Sequence, residues 1–359
     1  MSMANKGSSK QSMENRLALG MCQISQGYDI EANIDRACAL LGRAAEMGAK
    51  IACLPEMFTT PYEPMSIRKA APYSESALGR LQDLARDRGM FIVAGSMPWP
   101  SGQKRLFNRA LVIDPSGAVV HRHDKIHLFD CTPPGGPKVV ESDTIVPGDT
   151  LGDFATPWGK AAVIVCYDIR FTPLTQILAD RDVRLLFVPA AFAHATGKAH
   201  WEMLVRLRAV ELQAFVAGVQ PANNPQLGYV PWGHSIVASP WGDVLVDAGM
   251  EETVEVVQID TGEVDAIVRT ERMDTHRLIE EFMISANEAV TEHMEEHKQA
   301  FVFRVHEPPE GEAAQKFLDI AKALHLKVNE GWLKEEITPQ TYQKILRAIE
   351  ESPAARVLN

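Results

Sequence analysis

The stretch "AVIVCYDIRF" (residues 162–171) decides how this chain is read. Five apolar residues, Ala161 to Val165, run as a buried strand up to Cys166, and the chain then turns polar at Tyr167, Asp168 and Arg170. A cysteine at the end of a core strand is commonly a small buried hydrophobe and nothing more. The alternative is a thiol delivered to the carboxyl edge of a sheet, where α/β proteins collect their ligands. What else arrives at such edges separates the two.

Two other strand-like runs deliver reactive groups. Glu56 follows "IACLP", and Lys125 sits in "HRHDKIHLFD" just after a strand. Viewed singly, each also reads as an ordinary loop carboxylate or solvated turn lysine, because both residue types favour surfaces. Taken together they make an acyl-transfer set. A thiol is mostly protonated at neutral pH and needs a base. A carboxylate within hydrogen-bond reach can take that proton. A fixed ammonium favours the thiolate and later an oxyanion, to which the backbone N–H of Tyr167 can also donate.

The chain around these residues has 359 residues, 46% of them hydrophobic and 23% charged, as in a globular protein. Its net charge of −11 argues against a nucleic-acid partner. No apolar run is long enough for a bilayer span, so no membrane partner is expected. Residues 1–15 read as a disordered polar leader without a secretory core. Five scattered cysteines, at 22, 38, 53, 131 and 166, suggest neither disulfides nor zinc and fit a reducing, cytoplasmic setting. His127, His194 and His200 have no metal-ligand spacing, so neither a metal nor another cofactor is expected.

From Arg16 to about Ile267, short strands alternate with amphipathic helices, the signature of α/β sheets covered by helices. "DIEANIDRACALLGRAAEMGA", "SALGRLQDLARDRG", "TPLTQILAD" and "GKAHWEMLVRLRAVELQ" read as helices. "RALVIDPSGAVVHRH" and "GHSIVASPWGDVLVDAG" read as hairpins, turning at Asp114–Gly117 and Ser239–Gly242, so the sheets are expected to be mixed. After about residue 270 the texture becomes all helical, with helices expected in 274–299, 313–326 and 338–351.

The motifs "LPEMF", "NRALVIDPSG", "DKIHLFD", "ESDTIVPGD", "CYDIRF", "TGKAHWEMLVRLRAVELQAFV" and "YVPWGHSIVASPWGDVL", in this order, resemble the nitrilase (carbon–nitrogen hydrolase) superfamily, and within it the omega-amidase branch. The resemblance implies an αββα sandwich over residues 16–270 that forms a homodimer or higher homo-oligomer. It implies Glu56 as general base, Lys125 as oxyanion stabiliser, Cys166 as nucleophile and Glu141 as a second glutamate positioning Lys125 or the substrate. The implied reaction is hydrolysis of the terminal amide of a small dicarboxylic acid monoamide, such as α-ketoglutaramate, through a cysteine thioester. Such substrates carry a distal carboxylate, for which Arg170 is the candidate partner. A structural ion pair of Arg170 with Asp168 or another acid is the competing reading. Tyr62 is expected over the pocket mouth, or else as a plain loop aromatic. The family's lysine usually follows a "YRK"-like run; here it is "RHDK", and Asp124 is placed to compete for the ammonium unless the extended chain turns it away. The Pro/Gly-rich "CTPPGGPKVV" borders the expected pocket. Other amidases of the superfamily, deaminated-glutathione amidase or N-carbamoyl hydrolase, and a non-catalytic interaction protein are the alternatives.

Residues 271–359 resemble a fragment of the ribonuclease II/R catalytic domain, around "RLIEEFM", "ANEAV" and "RVHEPP". The metal-holding aspartate cluster of that family has no counterpart in the chain. With 17 Asp and Glu against 11 Lys and Arg, the segment repels RNA, and no nuclease activity is expected.

Overall fold

The computed structural model describes residues 15–132, 138–262, 290–294 and 296–297. The chain divides into two units, Met1–Val268 and Arg269–Asn359. In the second, residues 290–294 and 296 are helical. The expected helices in 313–326 and 338–351, most of that in 274–299, the leader before Asn15 and residues 133–137 of the Pro/Gly-rich loop lie outside the described residues.

The first unit begins with β1 (Arg16–Gln23), α1 (Ile30–Glu46), β2 (Ile51–Cys53), α2 (Pro64–Ala70), α3 (Ser74–Arg88), β3 (Phe91–Val93), β4 (Met97–Pro100), β5 (Leu106–Ile113) and β6 (Val119–Asp124). A short ribbon follows, β7 (Asp130–Cys131) and β8 (Val139–Val140). The second half supplies β9 (Phe154–Thr156), β10 (Gly159–Val163), α4 (Thr172–Asp180), β11 (Val183–Pro189), α5 (His194–Leu212), β12 (Phe215–Val219), β13 (Ile236–Ala238), β14 (Val244–Asp247) and β15 (Thr253–Asp260). One sheet runs β15-β1-β2-β3-β5-β4, with β6 paired to β5. The other runs β14-β13-β12-β11-β10-β9. Both are mixed: β1, β2 and β3 are parallel while β15 joins β1 antiparallel.

Side-chain alternation makes the layers. Leu17, Leu19 and Met21 of β1 pack with Val163, Leu185 and Phe187 of the second sheet in one buried cluster. Cys22 on β1 and Ala52 on β2 instead pack with Leu41 of α1 and Leu81 of α3. Trp201 and Val205 of α5 cover the outer face of the second sheet. The layers are therefore helix, sheet, sheet, helix.

Local chemistry sets the boundaries. Asp29 caps α1 by accepting the Ala32 N–H at 3.1 Å. Gly89 ends α3 in the left-handed region at φ +60°, as a glycine there should. Three elements differ from the sequence expectation. Strand β10 ends at Val163, two residues early, because Cys166–Arg170 form a 3₁₀ turn. Helix α2 is only two turns long, too short to show a period. Strand β15 pairs with β1 along its whole length, but it is half-exposed and mixes polar with apolar residues, and its partner lies over 200 residues away. Among the described residues no helix is long and apolar enough to cross a membrane.

One histidine on β6 gives the fold an acid limit. His121 is stacked on Phe154, and its Nε2 is buried without a hydrogen-bond partner. Burial, with His123 adding to it, pushes the ring down from 6.5 to about 4. Above pH 6.5 both folded and unfolded states hold it neutral. Between 6.5 and 4 only the unfolded state takes the proton, so stability falls as pH falls. The expected loss is about 2 kcal/mol by pH 4, discounted for the ring's partial exposure. Melting temperatures across this range check it: His121→Gln should flatten the slope, and an unchanged slope contradicts the assignment.

Candidate active site

Glu56 lies three residues past the end of β2, where the chain must turn. The carbonyl of Pro55 accepts from the Ser96 N–H at 3.2 Å. Gly95, at φ +53°, makes that approach possible, since a Cβ there would sit 2.0 Å from the Pro55 oxygen. Met57 is held at φ +51° by the Ser96 hydroxyl on its N–H and the Gln26 amide on its carbonyl. Lys125 directly follows β6, fixed by its N–H on the Asn108 carbonyl (2.9 Å) and by the Gly148 N–H on its own carbonyl (2.8 Å). Glu141 starts a 3₁₀ turn after β8. Cys166 starts the turn after β10 at φ +49°. Left-handed geometry at a non-glycine residue costs about 1 kcal/mol or more and persists only where its surroundings impose it.

These residues, far apart in sequence, converge in one buried cluster. The Lys125 ammonium donates to Glu56 Oε1 at 3.0 Å, to Glu141 Oε2 at 2.9 Å and Oε1 at 3.1 Å, and to the Tyr62 hydroxyl at 3.3 Å. Asn108 bridges the two carboxylates, with Nδ2 2.7 Å from Glu56 Oε1 and 3.4 Å from Glu141 Oε1. The Phe129 N–H donates to Glu141 Oε2 at 2.6 Å. Glu56 Oε2 is buried with no strictly formed hydrogen bond, and it belongs to the carboxylate that faces the Cys166 thiol. Glu56 and Lys125 are fully buried, and Cys166 is 7% exposed.

Two carboxylates share one ammonium in a dry site, and that sets the protonation states. Burial pushes the Glu56 carboxyl up and Lys125 pulls it down, but Glu141 pushes it up again, and the net shift is upward. Burial opposes the Lys125 charge, yet Glu141 and Glu56 outweigh it and hold the ammonium well above its usual range. Burial first and the Glu56 charge second push the Cys166 thiol well up, against Lys125 and the backbone N–H of Ala191. The site thus favours the neutral form of the Cys166 thiol, raises the basicity of Glu56 and favours the charged form of Lys125.

The other expected site residues fall in different places. Tyr167 follows Cys166 in the turn and packs edge-on to Phe129, with centroids 5.2 Å apart. Arg170 lines a small cavity with Cys166, Tyr167, Phe192, Thr196 and Tyr229. It lies over the Tyr167 and Phe192 rings at 5.8 and 5.2 Å and reaches His200 Nδ1 at 3.2 Å. The ion pair of Arg170 with Asp168 does not form, because Asp168 points inward to His123 and His127. Tyr62 is buried against Lys125 and Tyr229 and lines a cavity of about 480 Å³ that Glu141 also borders. Asp124 turns away from Lys125 and grips Arg109 with both oxygens, at 2.6 and 2.9 Å. A larger groove, about 590 Å³, runs along α5 and β13–β14, but it holds none of the four reactive groups.

Three residues at the site escaped the sequence reading. Asn108 stood inside a quoted motif, as a polar residue in an apolar strand, which was the available signal. Asp168 reads from the sequence only as a polar residue after the strand and a candidate ion-pair partner of Arg170. Tyr229, whose hydroxyl donates to the Ala191 carbonyl at 2.6 Å, opens the motif "YVPWGHSIVASPWGDVL", which was its available signal.

The sequence model of the carbon-nitrogen hydrolase family matches residues 18–269. The model of the RNB domain matches residues 242–359. That second match begins earlier than expected and includes β14 and β15, which are hydrogen-bonded into the two sheets. The omega-amidase NIT2 of Xenopus tropicalis is 43% identical over 232 residues, 64% of this chain and 83% of that protein. The crystal structure of Saccharomyces cerevisiae Nit3, a nitrilase-superfamily member, superposes with a TM-score of 0.64 at 29% identity, covering 72% of this chain and 97% of that one. An amidase from Nesterenkonia sp. AN1, solved with acrylamide added at its active-site cysteine, superposes with a TM-score of 0.61 at 28% identity, over 73% and 98% of the two chains. A match over 18–269, a relative of this identity and the αββα layering together place the chain: it belongs to the carbon-nitrogen hydrolase family.

Proposed function

We propose that the chain is an omega-amidase-like amidase that hydrolyses the terminal amide of a small dicarboxylic acid monoamide, such as α-ketoglutaramate, to the acid and ammonia. The observation that carries this is the buried meeting of Cys166, Glu56, Lys125 and Glu141 beside a small cavity that also holds Arg170. The omega-amidase name of the relatives and the cysteine adduct of the Nesterenkonia amidase support the same chemistry.

In this proposal the Cys166 sulfur attacks the amide carbon while Glu56 accepts the thiol proton. The oxyanion is stabilised by the Lys125 ammonium and the Tyr167 N–H. Glu141 keeps Lys125 charged and aimed. Glu56 passes its proton to the departing nitrogen, ammonia leaves, and a thioester remains. Water then attacks the thioester, with Glu56 again taking a proton, and the acid and free thiol are restored. Arg170 binds the distal carboxylate, and Tyr62 backs Lys125 at the edge of the substrate site.

The assay is ammonia release from a panel of amides, with wild type and Arg170→Ala. The KM for α-ketoglutaramate should rise about 10- to 100-fold in the variant, the worth of a charge-assisted hydrogen bond to a carboxylate. Turnover of propionamide, which has no distal carboxylate, should be unaffected. Preference for large amides, with KM indifferent to Arg170, would move the assignment to another amidase of the superfamily.

We place the protein in the cytoplasm, where its five free cysteines stay reduced. We place the self-association expected of this family on the outer face of α5, where Met203, Leu207 and Val210 are exposed at helical spacing near Trp241. Residues 271–359 are proposed as an appended domain without nuclease activity.

A further inference from the structure

We infer that Asp168 is a positioning residue that ties the nucleophile turn to the lysine segment and so sets how the Cys166 sulfur faces the Lys125 ammonium. The inference rests on the catalytic roles proposed above. Asp168 is fully buried. Its Oδ2 accepts from His123 Nε2 at 3.0 Å, from the Val165 N–H at 3.2 Å and from the Ile126 N–H at 3.4 Å. Its Oδ1 accepts from the His127 N–H at 2.8 Å and from His127 Nδ1 at 2.9 Å. One carboxylate therefore takes donors from two segments. The first is the 165–168 turn, with Cys166 inside it. The second is the 123–127 run, with Lys125 at its centre.

The chemistry of the donors requires an anion at this position. His123 Nδ1 is buried with no partner, so the Nε2 that meets Asp168 is the nitrogen assigned the donor role. His127, stacked on Phe171 with centroids 3.5 Å apart, presents both its backbone N–H and Nδ1 to the same oxygen. An asparagine would turn an NH₂ group toward at least one of these donors, and two donors facing each other repel. The link from the Val165 N–H to Asp168 also closes the turn on itself, alongside the Asp168 N–H on the Val165 carbonyl at 3.0 Å. That closure holds Cys166 at φ +49°, a conformation an L residue leaves when released.

The test uses the full chain as Asp168→Asn and His127→Ala, with wild type and Cys166→Ala alongside. Three quantities are read: kcat and KM for ammonia release, the iodoacetamide alkylation rate of the Cys166 peptide by mass spectrometry, and the melting temperature. Asp168→Asn should lose about 100-fold in kcat, the cost of roughly 1 Å of misplacement, with KM changed less than about threefold. Its Cys166 alkylation rate should shift in parallel. His127→Ala removes one donor from a partly exposed ring and serves if Asp168→Asn does not fold. It should lose about tenfold in kcat, more than its melting temperature accounts for. A folded Asp168→Asn with wild-type kcat and alkylation overturns the inference. So does a His127→Ala that loses stability but keeps kcat. Full activity in Cys166→Ala would instead remove the catalytic reading itself.

Discussion

Replacing Cys166 with alanine is expected to lower ammonia release by about 10⁴-fold or more, because the thioester route then has no nucleophile. The folded state should survive. Cys166 is a small side chain, and its left-handed backbone is no worse for alanine than for cysteine. The serine variant is the sharper test. Its oxygen fits the same space beside Glu56, but a hydroxyl in this dry, acidic setting is a far weaker nucleophile than a thiol. A loss of about 10³-fold is expected for Cys166→Ser, with KM nearly unchanged, since uniform binding is untouched. Retained activity in either variant contradicts the proposed role. Steady-state kinetics and a melting curve on each variant are sufficient.

Removing the ammonium should be as damaging to rate and worse for stability. Lys125→Met deletes the cation that Glu56 and Glu141 share. The oxyanion loses a donor, worth about 10²- to 10³-fold in rate. The two carboxylates then face each other in a dry site, and one must take a proton at neutral pH. If that is Glu56, the base is lost as well, and the combined fall should reach about 10⁴-fold. Breaking a buried ion pair typically costs about 3–5 kcal/mol, reduced here by that protonation. The double variant Lys125→Met, Glu141→Gln separates the effects. It removes the second carboxylate, so the melting temperature should recover while kcat stays low. Recovery of both would mean that Lys125 serves only to neutralise charge.

The candidate site residues are legible because reactive side chains stand at the ends of strand-like runs, and those runs become strands whose edges meet. Glu56 and Cys166 follow apolar runs, and Lys125 follows the mixed, largely polar strand β6. Sheets covered by helices are legible from the alternating periods, and the helix–sheet–sheet–helix layering only from what the family resemblance of the motifs implies. What the letters concealed was long-range or inward-facing. The pairing of β15 with β1 joins opposite ends of the domain, and no local pattern signals it. Asp168 sits among polar residues that suggest a rim, yet the turn beginning at Cys166 rotates its side chain into the interior. Asn108 stands beside Arg109 in an otherwise apolar strand, and its purpose appears only once two glutamates close around it. Tyr62 needed the fold to show that it touches the lysine instead of solvent.

The central claim is that a covalent acyl group passes through the Cys166 sulfur. Acid quenching during turnover of a small amide, followed by peptide mass mapping, tests it most directly. The peptide carrying Cys166 should gain the mass of the substrate acyl group, the gain should vanish with time as water releases the acid, and no other cysteine should carry it. Steady ammonia production with no acyl mass on Cys166, or with the mass on a different residue, would contradict the account.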